Sequence, residues 1–131
     1  MENMDKQNII DYWLTTAHHD LETAESLFQS GRYDWCLYVG HLILEKALKA
    51  YVVKTTAEVP PKTHQLLYLA EKSGLTLSDT QKIFLERVTD FNLEARYPDY
   101  KLSFYKLCTA EFAKQNFDEI KEFYQWIIAQ I

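Results

Sequence analysis

"DWCLYVGHLILEKALKAYVVKT", residues 34–55, is apolar around more than half of the helix it predicts. Cys36, Val39, Gly40, Ile43, Leu44, Ala47, Leu48, Ala50 and Tyr51 cover the arc. A helix apolar over so wide an arc packs on more than one side, which places it at the centre of a bundle. Its polar residues His41, Glu45 and Lys49 recur at steps of four, along one slowly turning stripe. That stripe reads as the solvated edge of a buried helix. Glu45 ahead of Lys49 is the favourable order for an exposed ion pair of roughly 0.2–0.5 kcal/mol. The alternative is a groove lining that offers an imidazole, a carboxylate and an ammonium.

Working outward, Ile10, Leu14, Ala17, Leu21, Ala24 and Phe28 form one stripe of a helix from about Asp5 to Ser30, ended by Gly31. Pro60 and Pro61 in "AEVPPK" forbid helix, and Thr63 is placed to cap a short third helix, "HQLLYLAEKSG", closed by Gly74. Ser78 and Gln81 form a capping box for a fourth helix to about Leu93. Ile83, Phe84, Val88 and Phe91 give it a buried face, with Leu85 at the flank. Pro98 ends that stretch, and a loop with at most a helical turn is expected through "KLSFYKLC". Thr109 caps a last helix, whose stripe is Ala113, Phe117, Ile120, Tyr124, Ile127 and Ile131. The expected fold is all-α, an antiparallel up-and-down bundle of four to five helices in one domain, 1–131. Its three long helices, of about 22 to 26 residues, measure on the order of 33 to 39 Å.

Composition agrees with this class. With only three glycines and three prolines in 131 residues, the tight turns of a β-rich fold are undersupplied. A net charge of −5 argues against non-specific attraction of nucleic acid over the whole surface, though a local basic patch stays open. Cys36 and Cys108 belong to no C-x-x-C pair and read as reduced, packed residues. "MENMDKQNIIDYW" has no basic leader followed by a long apolar run, and no stretch approaches a membrane span of about 18 apolar residues. The cytoplasm is the expected location.

Familiar catalytic motifs are missing. His18 and His19 are adjacent, hence about 100° apart on a helix, and no H-x-x-x-H or H-E-x-x-H occurs, so a metal site is not expected. There is no G-x-S-x-G and no glycine-rich phosphate loop. His64 follows the double proline at a helix start whose free N–H groups favour an anion. Arg96 lies in "EARYPDY", where Glu94 and Asp99 are potential ion-pair partners and Pro98 stiffens the backbone. Arginine is equally suited to bidentate contact with phosphate, and Tyr97 or Tyr100 can stack on a base.

Three stretches together carry a resemblance: "DLETAESLFQSGRYDWCLYVGHLILEKALKAYVV", "THQLLYLAEKSG" and "ARYPD". They resemble the HEPN domain, named for nucleotide binding in higher eukaryotes and prokaryotes. The resemblance spans nearly the whole chain. It implies a helical bundle, usually homodimeric. Small prokaryotic members often act beside a separately encoded minimal nucleotidyltransferase in toxin–antitoxin-like pairs. Many relatives are metal-independent ribonucleases marked by an arginine followed four to six residues later by a histidine. Here those positions after Arg96 are Lys101, Leu102 and Ser103, and no histidine follows His64. The resemblance therefore implies the non-catalytic branch, a module binding a nucleotide or a partner without a cofactor. RNA ranks behind a nucleotide as its ligand. Carried over residue by residue, its motifs give Glu45, Lys46, Lys49, His64, Arg96, Tyr97 and Pro98, to which the helix-two stripe adds His41. The rival readings are a ribonuclease using a displaced constellation around Arg96, and a dimeric docking scaffold drawing on nine tyrosines, seven phenylalanines and three tryptophans.

Overall fold

The computed structural model describes residues 5–131; the first four residues of the stretch inspected for a leader lie outside it. Asp5 caps the first helix by accepting from the Gln7 N–H at 3.0 Å, and α1 runs Lys6–Gln29. Gly31 (φ 79°) and Arg32 turn the chain into α2, Tyr33–Thr56, so the two 24-residue helices form a hairpin. The left-handed turn is the reason for glycine at position 31.

The remaining elements are α3 (Leu66–Ser73), α4 (Asp79–Glu94), α5 (Pro98–Leu107) and α6 (Ala110–Ile128). All regular elements among the described residues are helices, six in number against the expected four to five. The Ser78–Gln81 capping box, the Thr109 cap and the closing Gly74 (φ 85°) stand as their residue types predict.

Four local expectations are corrected. The third helix starts at Leu66, not at His64 after a Thr63 cap, because Thr63 Oγ1 accepts from the Gln65 N–H and the Leu66 N–H donates to Thr89 Oγ1 on α4. In α4, Leu85 is fully buried while Ile83 is 66% exposed, so the helix is rotated relative to the predicted face. The segment after Pro98 is the ten-residue helix α5, because proline lacks only an N–H that the first helical position leaves free. The last helix, at 19 residues, is shorter than expected.

Helix α2 is the hub. It packs against α1, α3, α4, α5 and α6, and its Leu37, Ile43, Leu44 and Leu48 are wholly excluded from solvent. Phe28 of α1 stacks on Phe117 of α6 at 6.0 Å, closing the bundle on the other side. Cys36 and Cys108 are free and buried, and burial pushes both thiols up to about 12, away from thiolate chemistry.

The α2–α6 crossing is tightest at Gly40, where an added Cβ would lie 2.7 Å from Ile120 Cδ1. Alanine gains roughly 0.5–1 kcal/mol over glycine inside a helix, but overpacking costs about 1–3 kcal/mol. Gly40→Ala should therefore lower stability by up to about 2 kcal/mol in urea unfolding. In an Ile120→Val background, which removes the clashing methyl, the same change should become neutral or stabilising.

Candidate functional site

The site grows from the polar stripe of α2. Instead of a solvated edge, His41 is 0%, Glu45 6% and Lys49 8% exposed, because the connector to α3 lies across His41 and Glu45 and Trp13 of α1 lies against Lys49. Three polar side chains at core depth require partners.

Glu45 supplies the junction. Its Oε2 accepts from Lys49 Nζ at 3.0 Å and its Oε1 from His64 Nδ1 at 2.7 Å. Burial opposes ionisation of Glu45, but the hydrogen bonds from His64 and Lys49 outweigh it and hold the carboxyl below its ordinary value. Glu45 is thus a carboxylate at neutral pH, able only to accept, so His64 Nδ1 carries the donated proton.

His41 holds the same segment by its backbone. Its Nε2 lies 2.9 Å from the His64 carbonyl oxygen, which can only accept, so Nε2 carries a proton. Burial keeps the His41 pKa below that of an ordinary histidine despite the raising effects of that carbonyl and Glu45. The ring is therefore neutral at physiological pH, with Nδ1 unprotonated and without a hydrogen-bond partner among the described residues. His64 is fixed by backbone and ring while its side chain stays 59% exposed. Its Nε2 is left for the surrounding groove, in the arrangement by which a carboxylate orients an acid–base imidazole.

That groove, of about 450 Å³, is lined by Lys62, Thr63, His64 and Gln65 from the connector and by Thr89, Asp90, Asn92, Leu93, Arg96 and Tyr97 from α4 and its end. Arg96 forms no ion pair with Glu94 or Asp99, contrary to the structural role open to it in the sequence. Its Nε donates to the Asn92 carbonyl at 3.0 Å, and its guanidinium lies over the Tyr38 and Tyr97 rings at 5.7 and 5.4 Å. Glu94 is two residues away, a spacing that does not face Arg96 on a helix; burial and Asp90 raise its pKa. The terminal guanidinium nitrogens thus remain available for an anion.

Of the residues read from sequence, the groove gathers His64, Arg96 and Tyr97, with Glu45 and His41 as the buried support behind His64. Pro98 begins α5 beside it. Lys49 is turned inward, bound to Glu45 and placed over the Trp13 ring at 5.3 Å. Lys46 pairs with Asp20 of α1 at 2.6 Å. Both lysines are spent on α1 and α2. Sequence reasoning missed Lys62, Thr89 and Asn92; only Asn92 had a local signal, its four-residue spacing from Arg96. Among the described residues no three metal-ligating side chains converge, and no helix is long and apolar enough to cross a membrane.

Removing one partner of a buried ion pair strands the other, at a cost of about 3–5 kcal/mol. Glu45→Ala should lose about that much in thermal or urea unfolding. Glu45→Gln, which keeps an acceptor for His64 but not the charge opposite Lys49, should lose less.

Comparison with known proteins places this geometry. The chain is similar in structure to TT1696 from Thermus thermophilus, with a TM-score of 0.80 at 19% identity over 93% of this chain and 98% of that one. It is also similar to ST0689, an archaeal HEPN homologue, with a TM-score of 0.71 at 21% identity over 92% of this chain and 96% of that one. At such identities the likeness speaks for the fold. A comparison with curated proteins gives no match. The sequence model of the HEPN domain matches residues 10–131, nearly the whole chain. The chain belongs to the HEPN domain family.

Proposed function

We propose that this HEPN chain is a nucleotide-binding module whose ligand sits in the groove between the α2–α3 connector and the end of α4. The observation that carries the reading is the meeting of Arg96, free of any carboxylate, with the Glu45-held His64 and the exposed Tyr97 in one groove. An arginine offers charge-assisted hydrogen bonds to phosphate, an imidazole adds a directed donor, and a tyrosine face suits a base. Lys62 adds a second cation, partly offset by Asp90.

The family resemblance extends the proposal to a setting: a cytoplasmic homodimer working with a separately encoded minimal nucleotidyltransferase in a toxin–antitoxin-like pair. In that setting the groove serves the pair as its nucleotide contact. Titration with ATP and AMP, followed by amide NMR, should move His64, Thr89, Arg96 and Tyr97 together. Arg96→Ala should weaken binding at least about tenfold, the value of one charge-assisted hydrogen bond. Unchanged affinity in that variant would remove the groove from the account.

A second reading, metal-independent ribonuclease activity, is favoured by one observation: the Glu45–His64 pair supplies from the connector the histidine that is missing after Arg96. In this reading His64 Nε2 takes the proton of a ribose 2′-hydroxyl as that oxygen attacks phosphorus. The P–O5′ bond breaks and a proton passes to the leaving oxygen, giving a cyclic phosphate and a 5′-hydroxyl end. Cleavage of RNA in chelator, reduced about 10²–10⁴-fold by His64→Ala, is the expected result. RNA that stays intact with the wild-type protein excludes this reading while leaving nucleotide binding in place.

A further inference from the structure

The second half of α6 carries one arrangement twice. Glu119 with Phe123, and then Glu122 with Trp126, are carboxylate–ring pairs spaced four residues apart, so each pair lies on one face of the helix. The first pair is matched from within the chain. Arg87 Nη2 of α4 donates to Glu119 Oε2 at 2.7 Å, and the same guanidinium lies over the Phe84 ring at 5.4 Å. Phe84 in turn packs on Phe123 at 5.6 Å. The second pair has no such match. Glu122 is exposed, and among the described residues it forms no ion pair and no cation lies over the Trp126 ring. Both pairs line a cavity of about 370 Å³ between α4 and α6. The nearly buried Phe84 and Phe123 give it an aromatic depth, and the part-exposed Trp126 meets Phe123 at 5.4 Å with the ring planes 55° apart.

We infer that this cavity is a binding site for an alkylguanidinium ion. It shares no lining residue with the Arg96 groove and stands independently of the nucleotide reading. Its charge asks for one cation: Arg87 neutralises Glu119, and Glu122 is left over. Lys121, the nearest lysine on α6, is turned to Glu25, Asp118 and the Phe117 ring. The helix ends agree. Trp126 stands in the last turn of α6, the negative end of its dipole, where the chain places no basic residue. The positive start of α4 is offset by Asp79 and closed by the Ser78–Gln81 capping box. Shape then selects the kind of cation. A planar guanidinium can lie flat on the Trp126 face while its edge donates to Glu122, as Arg87 does between Phe84 and Glu119. A primary ammonium has no flat face and holds its water more strongly, and a quaternary ammonium offers Glu122 no N–H. The alkyl stem rests on Phe84 and Phe123. The volume lies at the low end of the roughly 300–1,000 Å³ of small-molecule pockets, in keeping with one guanidinium on a short stem.

The test titrates the full chain with N-propylguanidinium at fixed ionic strength, read by NMR at the Trp126 indole and the Glu122 amide, with propylammonium and tetramethylammonium as comparison ions. Propylguanidinium should shift Glu122, Phe123 and Trp126 saturably, and the comparison ions should bind at least about tenfold more weakly. Glu122→Gln should weaken binding about tenfold, the loss of a charge-assisted hydrogen bond. Trp126→Leu should weaken it about fivefold, the loss of the ring face, and Trp126→Phe should weaken it less. Both positions are exposed, so the variants should keep the wild-type unfolding midpoint and the wild-type response to AMP. A capped pentapeptide with one central arginine identifies the source of the cation. Tighter binding than propylguanidinium at Glu122 and Trp126 supports the site and assigns it to a polypeptide arginine; weaker binding supports it as the site of a free small molecule. A response without saturation, equal binding of all three ions, or binding untouched by both Glu122→Gln and Trp126→Leu overturns the site. Shifts there that follow protein concentration instead of the ion mark a second copy of the chain on this face and overturn it too.

Discussion

A buried carboxylate has to be held by donors, and in this chain Glu45 is the carboxylate from which the rest of the site is hung. Lys49 neutralises it from one turn further along α2, and His64 bonds to it from across the connector. Each bond has a separate structural consequence. The Lys49 bond keeps an ammonium at core depth against Trp13 and so fastens α1 to α2. The His64 bond fastens the chain after Pro61 onto α2. Burial makes these bonds matter, because an ion pair in water would contribute little and a broken one in the interior costs several kcal/mol.

The fold was legible where its determinants are local. Caps at Asp5, Ser78 and Thr109, and the glycines at 31 and 74, act within a few residues, and their helices begin or end where the residue types say. Pro98 misleads because proline both closes one helix and opens the next, and only one buried residue of α5, Phe104, marks the second possibility. Ile83 and Leu85 are equally apolar, so which of them faces inward depends on the helix that α4 packs against. The site was half legible. His64, Arg96 and Tyr97 could be named from their motifs, but the bond joining Glu45 to a residue 19 positions later has no periodic signature. The isolation of Arg96 from its acidic neighbours depends on how α4 ends, which sequence spacing expresses poorly.

Helix α2 therefore serves two ends with one surface. Its apolar arc organises five neighbours, and within that arc His41 and Glu45 hold His64 of the groove from behind while Lys49 faces Trp13 of α1. Change at positions 41, 45 or 49 is felt in both packing and site. The groove's outer residues, Lys62, Arg96 and Tyr97, are exposed. The division separates a buried support from an exposed face.

The connector between α2 and α3 gives the site a behaviour of its own. It starts at Ala57, a non-glycine residue at φ 58°, where an L-residue is strained by about 1–2 kcal/mol. It continues through Val59, 66% exposed, and the buried Pro60, and His64 fastens its far end by two polar ties. Mostly exposed residues and a strained start are the marks of a segment that opens below the global unfolding free energy. Such an opening detaches His64 from Glu45 and dissolves the groove, while the α1–α2 hairpin and α6 stay packed. Hydrogen exchange would then report two layers of protection, a slow one for the bundle and a faster one for the strap. A ligand that touches both His64 and Arg96 requires the closed strap, so each opening lowers its apparent affinity, and its binding in turn slows exchange in the strap.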